Sequence, residues 1–354
     1  MKMVSRLSKV RGAKMIAAMM VAMAGTGSGI WAQTPAAPVM SPATADAAQA
    51  TQGQVPAPHA GVPVDPFPPV NLKNFTADSP TTAEVNAFLK EIWGYDDNRI
   101  WRVAAIRKTP APGVASVIVF TADKAHPDKV SRSEFFITPD GKHAIAGGVI
   151  DFGATPFAAR RVLMQQEAKG PAEGAAGGDL LLVLFADLLN GRSKDAQDVA
   201  NNLLKDIPQA RVVVENLPAD GSPYAFHAAA EGVCVRKAKG DAAFFAYSQG
   251  VYSKQKGLTA TTLQSALDAA VEAAGADAKS VSACSVTPET KEAVEGSIAL
   301  AAKAGVEAAP MLVVNGRVLP PVDVPYDMLK RIVAYQAQLD GIAVKVQPTL
   351  SNLK

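Results

Sequence analysis

The chain has 354 residues, a formal charge of +2 and 48% hydrophobic residues, enough for about two domains plus unstructured segments. Such a balance gives no reason to expect nucleic acid or an acidic membrane surface as a partner. No Gly-rich phosphate loop occurs, which leaves nucleotide chemistry without its usual signature.

Lys2, Arg6, Lys9, Arg11 and Lys14 precede the apolar run Met15 to Ala24, and small residues follow as far as Trp31-Ala32. A basic head, a short apolar core and an Ala at the expected cut predict a secretory signal over residues 1–32. The run falls short of the ~20 apolar residues a membrane span needs, so no span is expected after cleavage; an uncleaved anchor is the alternative. No Cys near the cut suggests lipidation. Residues 33–72 are rich in Pro, Ala and Gln with few large apolar groups, and read as an extended spacer that includes His59.

Over 75–152 a small α+β module is expected. Val85, Phe88, Leu89 and Ile92 recur at helical spacing within Thr81 to Trp93. Strand-like runs follow at Ile100 to Ile106, Val114 to Thr121, Ser133 to Thr138 and His143 to Ile150, the last two flanking the turn Pro139-Asp140-Gly141-Lys142. Residues 153–178 read as a linking helix from Pro156 to about Ala168, then a flexible Gly/Ala joint over Gly170 to Gly178. Leu180 to Phe185 is an unbroken apolar run, as in a strand covered on both faces. A helix striped by Ala196, Val199, Ala200, Leu203, Leu204 and Ile207, and a strand over Arg211 to Glu215, complete a βαβ unit. A long helical region spans about 223–304, and Met311 to Leu319 reads as a hairpin turning at Asn315-Gly316. A last helix from about Pro325 to Leu339 and a tail over 342–354 end the chain. The expected class is an α/β thioredoxin fold with an inserted helical domain over 179–341, preceded by the small α+β module.

From Phe185-Ala186-Asp187 through Asn190-Gly191-Arg192-Ser193-Lys194, Leu217-Pro218, Phe244-Phe245-Ala246-Tyr247 and Ala309-Pro310-Met311 to Asn315-Gly316, this region resembles the DsbA-like thioredoxin family. The resemblance implies thiol–disulfide exchange by a Cys-Pro-x-Cys motif at the first helix and a cis-proline loop that receives extended peptide by strand addition. Asn190 and Ser193 stand where the family has its two cysteines, and neither can form a disulfide. Asn190 reads either as a helix cap, worth ~1 kcal/mol over Ala, or as part of a polar groove. Pro310, between Ala309 and Met311, reads either as a peptide-binding element or as a retained folding element.

Cys234 and Cys284 lie outside any Cys-x-x-Cys pattern. In an exported protein an even count points to a bridge, with two free buried thiols as the alternative. The resemblance implies a structural disulfide, since several relatives carry a second, non-catalytic pair in this helical region. No metal site is expected: His126, His143 and His227 are scattered. Lys194, Asp195 and Asp198 read as a solvated helix face.

The order of helix, small sheet, linking helix and thioredoxin domain also resembles the DsbC/DsbG isomerases, carried most closely by Glu134 to Gly148. That resemblance implies a homodimer through 75–152, against a monomer whose first module packs on its own second domain. The functional expectation is a periplasmic thioredoxin-fold protein without redox-active cysteines or cofactor. It would bind extended or unfolded polypeptide as a chaperone-like or adaptor protein. The alternatives are a glutathione-binding transferase or isomerase with Ser193 in the role of thiolate holder, and the thiol–disulfide oxidoreductase that the family name implies.

Overall fold

The computed structural model describes residues 65–146 and 148–347. The expected signal, most of the spacer and the end of the tail lie outside the described residues. No described helix is long and apolar enough to cross a membrane.

The first domain is one helix on an antiparallel meander. Helix α1 (Thr82–Trp93) starts at a reciprocal cap: the Thr81 hydroxyl accepts from Glu84 N–H, and the Glu84 carboxylate accepts from Thr81 N–H. Its stripe of Val85, Phe88, Leu89 and Ile92 is buried. Strands β1 (Arg99–Lys108), β2 (Ala115–Asp123), β3 (His126–Ile137), β4 (His143–Ile145) and β5 (Val149–Asp151) pair in chain order. Alternate residues on the covered face, among them Val117, Val119, Phe135 and Ile137, meet the α1 stripe. Two expectations change here. β3 begins well before Ser133, because the polar, exposed stretch from His126 pairs with β2 through the backbone without any apolar alternation to announce it. The single strand expected over His143 to Ile150 is a hairpin of β4 and β5, with Ala146 N–H donating to Gly148 O at 2.9 Å.

The second domain holds helix α2 (Ala158–Glu167), strand β6 (Ala172–Gly174), strand β7 (Leu180–Ala186), helix α3 (Gly191–Asp206) and strand β8 (Ala210–Asn216). Helices α4 (Pro223–Lys239), α5 (Asp241–Lys254), α6 (Leu263–Ala273), α7 (Ala278–Ser285) and α8 (Pro288–Lys303) form the inserted helical region. Strands β9 (Met311–Val314) and β10 (Arg317–Leu319) and helix α9 (Tyr326–Leu339) follow. The sheet order is β10-β9-β7-β8-β6, with β7 and β8 parallel and the other pairings antiparallel. On one face Leu182, Leu184, Val212 and Val214 pack against Leu203 of α3 and Ile332 and Val333 of α9. On the other, Val183, Phe185, Val213 and Val313 meet Met164 of α2 and Leu300 and Ala301 of α8. Burial on both faces explains why β7 reads as an unbroken apolar run.

The run Gly170 to Gly178 is not simply a joint, for it carries β6, the edge strand beside β8. Its glycines answer close backbone approach: a Cβ on Gly170 would lie 1.9 Å from Val214 O, and Gly174 has φ +92° with Ala210 O only 2.4 Å from a Cβ position. Glu215, buried in β8, accepts from the N–H groups of Lys169 and Gly170 at 2.8 and 2.7 Å and anchors the approach to β6.

The two domains meet at the C-terminal end of α1. The Arg317 guanidinium on β10 donates to the carbonyls of Glu91 and Ile92 and lies over the rings of Tyr95 and Phe157, 5.4 and 5.2 Å from their centroids. Tyr335 on α9 donates its hydroxyl to Lys90 O at 2.8 Å. The Glu91 and Ile92 carbonyls, which the helix end leaves without backbone partners, are thus satisfied by the other domain, while Lys90 O also accepts from Gly94 N–H.

Candidate functional site

The site lies where β7 ends and α3 begins. Asn190 has extended backbone, and its side-chain oxygen accepts from Arg192 N–H at 2.9 Å, an N-cap. The same carboxamide donates through Nδ2 to Ala309 O at 3.3 Å, so one side chain starts the helix and ties it to the loop before β9. The Ala309–Pro310 peptide bond is cis, and Met311 opens β9 opposite Phe185 of β7. Ala309 N–H has no hydrogen-bond partner among the described residues. Gly191 and Arg192 are exposed, and Arg192 forms an ion pair with Asp323 from the segment before α9.

Ser193 is turned inward. It is fully buried, and its Oγ accepts from Asp187 N–H at 3.1 Å. Asp187 is buried as well, its carboxylate accepting from Leu189 N–H at 2.8 Å and Ala219 N–H at 3.2 Å. Burial pushes its pKa up, and these two hydrogen bonds offset only part of that.

Asp187, Asn190 and Ala309 are among the residues that line a cleft of about 1250 Å³. The rest of the lining comes from the loop Leu217 to Pro223, the segment Gly305 to Ala309, Phe226 of α4, and Lys291, Ile298 and Ala302 of α8. The lining is mostly apolar, and its size exceeds the ~300–1,000 Å³ usual for small-molecule pockets. Of the residues the sequence points to, Asn190 and Ala309 line the cleft, and Pro310 and Met311 do not. Ser193 is not among the lining residues. Most of the lining carries no sequence signal: Leu217-Pro218 is only a landmark of the family resemblance, and Phe226, Ile298 and Val306 belong to no motif.

Cys234 on α4 and Cys284 on α7 form a disulfide with Cα atoms 5.9 Å apart, and neither lines the cleft. The Thr290 hydroxyl sits 3.4 and 3.6 Å from the two sulfurs. Both cysteines of the chain are therefore used in the helical region. Among the described histidines, His126 opens β3, His143 Nδ1 lies 2.7 Å from Asp140, and His227 Nε2 lies 2.9 Å from Gln264 and 3.2 Å from Glu231. Lys194 pairs with Asp198 one turn on. Among the described residues no three potential metal ligands converge.

Residues 196–334 match the family model described as Thioredoxin, beginning downstream of Asn190 to Ser193. No curated protein matches the chain. Among solved structures, ScsC of Proteus mirabilis in a transitional conformation is similar at 23% identity, covering 52% of this chain and 82% of that one, with a TM-score of 0.43. A periplasmic thioredoxin-like protein from Salmonella enterica serovar Typhimurium is 21% identical, over 51% of this chain and 97% of that one, with a TM-score of 0.41. BdbD of Bacillus subtilis is 20% identical, over 49% and 94%, also with a TM-score of 0.41. The family match and the β10-β9-β7-β8-β6 sheet together give the second domain a thioredoxin-like fold.

Proposed function

We propose that this is an exported thioredoxin-fold protein without dithiol chemistry that binds extended or unfolded polypeptide in the periplasm, as a chaperone-like or adaptor protein. The observation that carries the reading is the large, mostly apolar cleft lined by Asn190 and by Ala309, whose N–H has no hydrogen-bond partner among the described residues. An apolar trough with such a backbone donor in its lining suits a chain in extended conformation, whose side chains bury while its carbonyls accept. Exchange chemistry needs a thiolate at the helix start and a second thiol to resolve the mixed disulfide. Here those positions are Asn190 and Ser193, and both cysteines are already bonded to each other elsewhere. A periplasmic setting agrees with the basic-apolar N-terminal stretch. The glutathione reading has weaker support, because the Ser193 hydroxyl is buried against Asp187 N–H and does not reach the cleft.

The test compares the wild type with the double variant Asn190→Cys/Ser193→Cys in insulin reduction and in suppression of aggregation of an unfolded client. The wild type is expected to be silent in the first assay and active in the second, and the variant to gain reductase activity. Insulin reduction by the wild type would mean that Cys234 and Cys284 exchange and would overturn the non-redox reading. Failure to protect any unfolded client would overturn the binding reading.

A further inference from the structure

The charges around the cleft are not balanced. Asp220, in the loop before α4, and Glu307, in the segment before β9, both line it; both are exposed, and neither has an ion-pair partner among the described residues. The cation in the lining, Lys291, lies 3.6 Å from Glu295 one turn along α8, which leaves two carboxylates in the lining against one shared cation. Asp187 has its carboxylate bonded to backbone N–H groups of its own domain. The same lining is mostly apolar, with Leu217, Phe226, Ile298 and Val306. In an extended chain successive side chains point to opposite sides. When one apolar side chain enters the trough, the residues before and after it turn away from the apolar lining toward solvent, and the two acids are exposed there.

We propose that the cleft selects extended segments in which an apolar side chain is flanked by lysine or arginine, with Asp220 and Glu307 as the specificity-determining residues. This rests on the polypeptide-binding reading above and names the class of segment it prefers. Each contact is a solvent-exposed pair of modest strength, and both weaken as salt rises. Two such pairs give about a fivefold preference over an acid-flanked segment at low salt.

The experiment uses the full chain and two fluorescein-labelled peptides with the same apolar centre, one flanked by lysines and the other by glutamates, read by anisotropy at low and high salt. The lysine-flanked peptide is expected to bind about fivefold tighter at low salt, with the gap closing at high salt. In the double variant Asp220→Asn/Glu307→Gln the two peptides should bind alike, and in Lys291→Gln the gap should widen as Glu295 is released. Equal binding of both peptides to the wild type, or a gap that survives in Asp220→Asn/Glu307→Gln, overturns the charge selection while leaving polypeptide binding in place. If neither peptide binds at any salt, both readings fall.

Discussion

Asn190 performs two tasks that substitution can separate. Its oxygen caps α3 and its nitrogen holds Ala309 O. Asn190→Ala removes both and should cost about 1–2 kcal/mol. Asn190→Asp keeps the acceptor, which suits the positive end of the helix, but cannot donate to Ala309; it should recover the capping part of the loss and not the rest. Urea midpoints of the three proteins rank them, and equal stability of all three would contradict the double role. The cap was legible in sequence because Asn before a helical stripe is a local signal. The bond to Ala309 was not, since the two residues are 119 positions apart and only the closed sheet brings them together. The same holds for Ser193, which the sequence places only at the second cysteine position of the family motif. Its place one turn into a helix packed on β7 turns it inward, against Asp187.

The inserted helices depend on one cross-link and one titrating contact. The disulfide joins α4 to α7 across a separation of 50 residues, and the chain-entropy model gives such a loop about 4 kcal/mol. The variant Cys234→Ala/Cys284→Ala should lose about 2–4 kcal/mol by denaturant unfolding. His227 on α4 has its pKa raised, first by the hydrogen bond to Glu231 and then by Gln264, against the opposing effect of burial. A folded value above the unfolded ~6.5 means that this contribution is complete below pH ~6.5 and fades as pH rises through the higher folded value. Thermal unfolding followed across that window should show a fall that His227→Gln flattens. Element types were mostly readable from periodicity: the α1 stripe, the β7 run and the Asn315-Gly316 turn all carry local signals, and the turn forms with φ of +43° and +94°. What escaped were β6 and the first half of β3. Both are held by backbone pairing to a neighbouring strand, and neither carries the apolar alternation on which such reading depends.

For the whole molecule, Arg317 decides whether the two domains behave as one. Burial pushes its pKa down to about 10, so it remains charged at neutral pH while it holds the end of α1. Arg317→Met keeps most of the apolar packing against Tyr95 and Phe157 but orphans the carbonyls of Glu91 and Ile92. It should separate one calorimetric transition into two, the first domain melting earlier; a single unchanged peak would mean that other contacts carry the coupling. The glycine-lined strand β6 has a consequence for any attempt to divide the chain. A fragment begun at residue 179 would contain the βαβ unit, the helical region and the final hairpin, and would look self-sufficient. It would nevertheless lack Ala172 to Gly174, leaving the outer N–H and C=O groups of Val212 and its neighbours open to another molecule. Such a fragment is expected to self-associate in light scattering, whereas one begun before α2 stays dispersed. The working boundary between the domains therefore falls ahead of α2, some way upstream of the glycines that look like a seam.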